Sequence, residues 1–591
     1  MYYKRLAESY AEIESISGLH EKIRIFSQVL KEANPSEVGQ IVALTLGKLH
    51  PDWREQPEIG VAERIAIQVV AAAASVPESR VLQVLTKTGD IGLTAEELLG
   101  QSAQGTLMSE DPTVSHVYSA LEHVSQALGQ KSAKEKVTRL VGLLTDLSPT
   151  EARYVIRTIT GDLRLGLGHM SIIDALASAF ADGKSSRDEI ERAFNVCSDL
   201  AEVARLLAER GISGISAIKA EVGRPIGMMA AKRLSDAREI LEKSGGRALV
   251  EYKYDGERMQ IHKDGDKVIL YSRRQEVITS QYPDVVEMVR TRIVANRCII
   301  EGECVGIDPV TGRLRPFQEL MRRRRKTDVA EMSKQVPVAL FLFDILYLED
   351  RDVTGQALPE RRQLLEKVVK QSDSVRLTTA ELTDDPARLD SIFHTALSEG
   401  MEGVIAKAVH KESTYQAGAR SWLWIKLKAS YKEGMADSFD FVVVGAMHGR
   451  GKRTGVYGAI LASVYDSDTD TFPTVCKIGT GFTDDMLTEF RDRLEKHRIP
   501  ARHPKVLSDM DADVWFEPAE VIEVLGDEIT VSPAHPAARG HVSGGGLAIR
   551  FPRFTGRWRD DKSPDQATTV DELVEAFERQ RGTKESRKRA S

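Results

Sequence analysis

The spacing of apolar residues changes character near Gly223-Arg224-Pro225-Ile226-Gly227, and that change bounds what the chain can fold into. Before it, segments such as Ile41–Leu49, Val61–Ala74, Val114–Leu128 and Ala133–Leu144 repeat apolar side chains every three or four residues. That period predicts amphipathic helices, so residues 1–225 read as an all-α domain. After the Pro/Gly stretch, a domain junction, β-type runs appear at Leu249–Tyr252, Met259–His262, Val268–Tyr271, Cys298–Val305 and Val338–Tyr347. Helical segments lie between them, and a mixed α+β domain on antiparallel sheets is expected over 226–429. From 430 to 580, short strands alternate with Gly and Asp turns (Phe439–Ala446, Ala459–Tyr465, Val475–Ile478, Val514–Phe516, Ala519–Leu525, Ala548–Phe551). This pattern fits a small β-barrel of OB-fold type. A terminal helix, Val570–Gln580, opens on a Thr569/Glu572 capping box. Residues 581–591 form a basic tail.

Length and charge agree with a multidomain protein of the cell interior. A chain of 591 residues predicts about three or four domains. No apolar run reaches the roughly 18 residues of a membrane span, and the first residues lack the apolar core of a signal peptide. The cysteines (Cys197, Cys298, Cys304, Cys476) form no Cys-x-x-Cys pair, against a structural zinc site or a disulfide scaffold. A cytoplasmic, nucleoid-associated protein with no membrane contact is expected. The net charge is −7, so any nucleic-acid contact must use local basic patches.

The chemistry gathers around Glu251-Tyr-Lys253-Tyr-Asp-Gly-Glu-Arg258. Apolar residues, an Asp-Gly turn and an alternating run predict a strand, a tight turn and a second strand. Lys253 then sits at a strand end among charges, where a lysine of lowered pKa can act as a nucleophile. Further charges recur at strand edges: Arg273 after Val268–Tyr271, Glu301 and Glu303 after Ile300, Asp344 inside Val338–Leu346, Glu402 and Lys407 flanking Gly403–Ala406. Lys426 and Lys428 alternate along one strand and point to one face. One nucleophile, several cations and several acids suit a polyphosphate with Mg²⁺, which takes oxygen ligands. In the helical part, Arg153 and Arg157 share a helix face, and Arg164 lies among Gly161, Gly166 and Gly168. Phosphate contact is one reading, and a glycine-capped helix with a solvated basic face is the other. Arg322–Lys326 is a further candidate for backbone contact.

These motifs, in this order, resemble the covalent nucleotidyltransferases, and most closely the ATP-dependent DNA ligases of the archaeal replicative and eukaryotic nuclear type. Lys253–Arg258 looks like the nucleotidyl motif. Ser272–Glu276, Glu301–Asp308, Phe341–Tyr347, Glu402–Lys407 and Trp424–Lys428 look like the motifs that follow, and Arg550–Lys562 like the last. Thr555-Gly556 makes that last motif about one residue longer than the usual form. The resemblance covers nearly the whole chain. Capping guanylyltransferases and RNA ligases generally lack a helical domain of this size. An NAD⁺-dependent ligase carries a four-cysteine module absent here. A clamp with vestigial motifs is the non-enzyme alternative, and it would carry no covalent AMP.

The resemblance implies the following roles. Lys253 attacks the α-phosphate of ATP. Glu251 recognises the adenine, Phe343 stacks on it, and Arg258 and Glu303 hold the ribose side. Arg273, Arg420, Lys426 and Lys428 meet nucleotide phosphates, and the last two lower the pKa of Lys253 by like-charge repulsion. Glu303 and Glu402 bind Mg²⁺. Arg550 and Arg553, with Asp560 and Lys562, orient pyrophosphate. Arg153, Arg157 and Arg164 bind DNA. The substrate is nicked double-stranded DNA, the protein is monomeric, and Gln101–Met108 contacts a sliding clamp.

Overall fold

The computed structural model describes residues 1–101, 111–127, 132–161, 163–181, 184–308, 311–315, 317–320, 323, 329–428, 438–449, 453, 455–542 and 544–589. Most of Gln101–Met108, the expected sliding-clamp contact, and most of Arg322–Lys326 lie outside them. Two compact units result: Met1–Phe393 with Met401–Leu427, and Lys428–Ser591 with His394–Gly400. No single described helix is long and apolar enough to cross a membrane.

The first unit begins helical, as the spacing predicts. Glu63–Ala73, Val114–Ser125 and Ser132–Thr145 are helices, and Ile41–Leu46 belongs to the helix Pro35–Leu46, which stops at left-handed Gly47 (φ 70°). Their apolar stripes meet in one core that includes Tyr3, Tyr10, Phe26, Val69, Tyr154 and Ile172. The helix Pro149–Thr160 starts on a Ser148/Glu151 capping box and ends at Gly161 (φ 74°). The Gly161 N–H bonds back to the carbonyls of Arg157 and Thr158. That glycine therefore serves its own helix end.

Two sheets follow in the same unit. One holds β1 (Ala230–Arg233), β2 (Ala248–Lys253), β9 (Ala380–Thr383), β10 (Gly403–Ala408) and β11 (Arg420–Lys428), in the order β1-β11-β10-β2-β9. The other holds β3 (Glu257–Asp264), β4 (Lys267–Ser272), β5 (Arg297–Gly306), β6 (Val338–Leu348), β7 (Arg351–Asp352) and β8 (Val375–Leu377), in the order β4-β3-β5-β6-β7, with β8 beside β6. Alternation along β6 splits its side chains. Leu340 and Leu342 join one core with Ile261, Ile300 and Val285. Phe343 joins another, with Trp424 of β11 and Met229. The two sheets thus meet face to face at Phe343 and Trp424.

The second unit is a sheet domain whose described residues include the helices Asp484–Leu494 and Val570–Arg589. Its centre is β12 (Ser438–His448), flanked by β13 (Tyr457–Ser463) and then β14 (Phe472–Ile478). Short strands β15 (Arg498–Ile499), β16 (Val506–Leu507) and β17 (Val514–Phe516) extend it. β18 (Val521–Leu525) pairs the other edge of β12, a two-stranded ladder forms from β19 (Glu528–Ser532) and β20 (Gly546–Arg550), and β21 (Arg553–Trp558) pairs β18. Beyond β14, Thr480 bridges Arg553 of β21. Gly481 (φ +91°) makes that approach possible, because a Cβ there would lie 2.4 Å from the Phe554 carbonyl oxygen.

Candidate active site

β2 ends at Lys253, and its neighbour β10 begins opposite, with Gly403 in register with Lys253. The preceding residue, Glu402, donates its backbone N–H to the Lys253 carbonyl at 3.0 Å and pairs its carboxylate with the Lys253 amine. On the facing sheet, Glu303 of β5 is in register with Arg258 of β3 and Phe341 of β6. The turn between β2 and β3 presses on β5. A Cβ on Gly256 would lie 2.3 Å from the Cys304 carbonyl oxygen. Three sequence-predicted groups, Lys253, Glu303 and Glu402, are thereby brought to one place.

The electrostatics correct one expectation. The Lys253 amine is not lowered by like charges. Burial pushes its pKa down, but Glu402 and Glu303, with Asp255, outweigh burial and raise it above the ordinary lysine value. Nearby carboxylates stabilise the ammonium more than desolvation penalises it. Glu303 moves the other way for a carboxylate: burial, helped by Glu402 and Asp255, raises it to about 7 against the pull of Lys253 and Arg258. Arg258 itself donates to Glu301 at 2.8 Å and to the Met229 carbonyl at 2.6 Å, with its guanidinium 5.3 Å from the Phe343 ring centre. The Tyr415 hydroxyl donates to the same Glu301 carboxylate.

Glu251 lies deeper on β2 and is 2% exposed. Its carboxylate pairs with Lys407 at 2.8 Å and Arg362 at 3.5 Å. Phe343 is buried edge-on to Trp424, ring centres 6.0 Å apart. Lys426 is in register with Arg233 of β1, Lys428 closes the same strand, and Arg420 opens it on the exposed side. Arg273 is exposed in the turn after β4. Sequence reasoning missed Arg362, Glu301 and Tyr415 as partners of site residues.

In the second unit, the cations of the last motif are ion-paired. Arg550 meets Glu528 at 3.5 Å and Arg553 meets Asp527 at 3.1 Å. Lys562 and Arg559 share Asp440 at 2.7 and 2.5 Å, and Asp560 pairs with Arg493. The extra length at Thr555-Gly556 is taken up between the β18 pairs Val524–Phe554 and Ile522–Trp558, where the register shifts and Gly556 adopts φ +90°.

The helical arginines stand elsewhere. Arg157 is 2% exposed and binds Asp90 at 2.8 Å and Glu14 at 2.7 Å. Arg153 pairs with Glu14 and Glu96, and Arg164 (φ 60°) with Asp90 at 2.8 Å. The structure places the shared face of Arg153 and Arg157 inward, on acids from other segments, rather than toward solvent. The signal was Gly92, where a Cβ would lie 2.7 Å from Arg157 Cγ.

Among the described residues, no three His, Cys, Asp or Glu side chains gather as a metal cage. Glu303 and Glu402 still fit Mg²⁺, which commonly takes one or two carboxylates and fills its shell with water and substrate phosphates. An acid with its pKa raised to about 7 by burial is consistent with a place for a cation.

Comparison with known proteins covers nearly the whole chain. Family models match residues 2–177 (DNA ligase N terminus), 228–428 (ATP dependent DNA ligase domain) and 453–562 (ATP dependent DNA ligase C terminal region). A DNA ligase 2 of Thermofilum pendens is 49% identical over 590 residues, 98% of each chain. A DNA ligase of Aeropyrum pernix is 45% identical over 98% of each. A solved structure, Pmar-Lig_PreS3, shares the fold at 17% identity and TM-score 0.53, covering 94% of this chain and 99% of that one.

Proposed function

The chain belongs to the ATP-dependent DNA ligases, and on that premise we propose how its residues divide the work. It is an enzyme that seals nicks in duplex DNA, using ATP and a divalent metal such as Mg²⁺. Replication, repair and recombination are the settings general to the family. The observation that carries the residue assignment is the meeting of Lys253 at the end of β2 and Glu402 just before β10 with Glu303 of β5 on the facing sheet.

In the first step, the Lys253 nitrogen, once deprotonated, attacks the α-phosphorus of ATP. A P–N bond forms and the P–O bond to pyrophosphate breaks. The AMP then passes to the 5′-phosphate at a nick, and the 3′-hydroxyl attacks that phosphate and expels AMP. Splitting one condensation into transfers is the gain of covalent catalysis. Glu303 and Glu402 would hold the metal, which when bound neutralises phosphate charge. Glu402 also fixes Lys253 from two sides, through backbone and side chain. Arg258, oriented by Glu301 and Met229, faces the sugar side, and Lys426, Lys428, Arg420 and Arg273 the phosphates. Glu251 reads the base, and Phe343 stacks on it.

The same proposal takes 1–225 as a DNA-binding domain, 226–429 as the adenylylation domain, 430–580 as an OB-fold domain and 581–591 as a basic tail. The Thr480–Arg553 bridge supports the barrel reading. Arg550 and Arg553 would orient pyrophosphate after leaving Glu528 and Asp527. Of the helical arginines, Arg164, on the surface side of Asp90, is the one we keep at DNA. The enzyme is read as a monomer that binds a sliding clamp through Gln101–Met108, and deleting that loop should abolish clamp binding. The assignment of Lys253 is tested with α-labelled ATP and Mg²⁺: label attaches to the native protein and not to Lys253→Ala. Labelling of that variant would overturn it.

A further inference from the structure

We propose that Lys407 is the positioning residue that makes the enzyme choose ATP over GTP. The inference rests on the reading of Glu251 as the group that meets the base, and it goes beyond it by saying what fixes the polarity of that group. Lys407 is 1% exposed, and its Nζ pairs with Glu251 Oε2 at 2.8 Å. The ammonium lies 4.6 Å from the Phe343 ring centre and 4.4 Å from that of Trp424. These aromatic faces help a buried cation where water does not. Arg362 takes the other oxygen, Oε1, at 3.5 Å, and is itself held by the Thr378 hydroxyl and carbonyl at 3.1 Å. Burial pushes the Lys407 pKa down, and Glu251 and then Asp344, itself bound bidentately by Arg361, oppose that fall.

The consequence is one of donors and acceptors. An ionised carboxylate only accepts hydrogen bonds, and each of its oxygens keeps a lone pair beyond the ion pair. Adenine offers an exocyclic N6 amine, a donor, where guanine offers the O6 acceptor. Glu251 held as an anion by Lys407 therefore welcomes adenine and repels guanine. Without the Lys407 charge, Glu251 is a deeply buried acid beside Arg362 alone, at the longer distance. A carboxylate held by Arg362 alone is no longer fixed with its acceptors on the base edge, so the discrimination between a donor and an acceptor there weakens.

The test uses the full-length protein with Mg²⁺ and measures the rate of enzyme–nucleotide formation from labelled ATP, GTP and purine riboside triphosphate, which lacks the N6 amine. The native enzyme should prefer ATP over both. If it does not distinguish ATP from purine riboside triphosphate, the Glu251 reading fails and the inference falls with it. If it does, Lys407→Met should lower the ATP-to-GTP preference by about tenfold or more, the size of one buried polar contact. Lys407→Arg, which keeps the charge, should restore most of it. Lys407→Gln covers the case in which the methionine variant does not fold. A Met or Gln variant that slows with ATP and GTP equally, leaving the preference unchanged, would overturn the inference while leaving the Glu251 reading intact.

Discussion

Glu402 holds Lys253 twice, by a backbone N–H on the Lys253 carbonyl at 3.0 Å and by an ion pair on its amine. The first contact continues the β2–β10 ladder and places the residue. The second stabilises the wrong protonation state for attack, because an ammonium has no lone pair. The resting site is therefore a charge-balanced one, and the amine must lose both its proton and the hold of the carboxylates before it can react.

Chemical labelling can read that balance without ATP. Because Glu402 and Glu303 raise the Lys253 pKa against burial, acetylation of Lys253, followed by mass spectrometry of its peptide, should have a midpoint above the ordinary lysine value of about 10.4. In Glu402→Gln the ion pair is gone, and the midpoint should fall. The sign for stability follows. A raised lysine pKa stabilises the fold below the unfolded value, and that contribution is lost as pH rises through the folded one. An unchanged or higher midpoint in Glu402→Gln would contradict the pairing.

Glu303 gives a pH dependence of the same sign in a lower window. Its pKa is raised to about 7, against about 4.3 in an unfolded chain. Between those values the native state holds the extra proton, so its contribution to stability falls as pH rises through the window. Above pH 7 the penalty of the buried charge is fully present. Glu303→Gln removes it, so without nucleotide or metal the variant should melt higher than the native protein at pH 8, by about a few degrees. At pH 4.5 the two should melt alike. Sealing activity should be lost, an exchange of activity for stability. Equal melting at both pH values would show that Glu303 carries no such burden.

How far these relationships were legible in the sequence depends on which physical quantity sets them. Lys253 and Glu402 were legible because each stands at a strand end, fixed by turns, and Glu303 because it alternates with Glu301 inside a strand, fixed by the period of two. The partners of Glu251 were legible only in part. Lys407 lies on a recognisable strand, but Arg362 is 111 residues away and comes from a helix with no marker of its own. Spacing showed that Arg153 and Arg157 share a face but not which way it points, since Glu14 arrives from the first helix and Asp90 and Glu96 from just before and within the helix Ile91–Gln101. The raised Lys253 pKa was missed because motifs name nearby cations without their distances, whereas the carboxylates lie closest. The bulge at Gly556 was visible as added length but not as geometry.

The inward turn of Arg157 has a direct test. Its fork spans Asp90 and Glu14, and removing one member of a buried ion network typically costs about 3–5 kcal/mol. Arg157→Ala should shift the unfolding of the helical region, followed by circular dichroism in urea, by that amount. Arg157→Lys keeps the charge but not the fork and should recover only part of the loss. Were Arg157 a phosphate contact instead, the lysine variant would keep full stability and the alanine variant would lose DNA affinity alone.

Gly256 tests whether the site depends on the turn pressing against β5. This glycine is not in the left-handed region, so its requirement is space rather than φ. A Cβ would meet the Cys304 carbonyl oxygen at 2.3 Å and Val305 Cγ2 at 2.9 Å. Both belong to the strand that presents Glu303, and backbone cannot yield as a flexible side chain does. An added methyl must lift the Tyr254–Gly256 turn from β5 and carry the end of β2 with it, moving Lys253 relative to Glu303. Overpacking of this kind costs about 1–3 kcal/mol of stability, but a displacement near 1 Å at a reacting group can cost about 10² in rate. Gly256→Ala should therefore bind ATP nearly as well as the native enzyme while forming enzyme–AMP about a hundredfold more slowly in a single turnover. A rate within threefold of native would mean that the strand end moves independently of the turn.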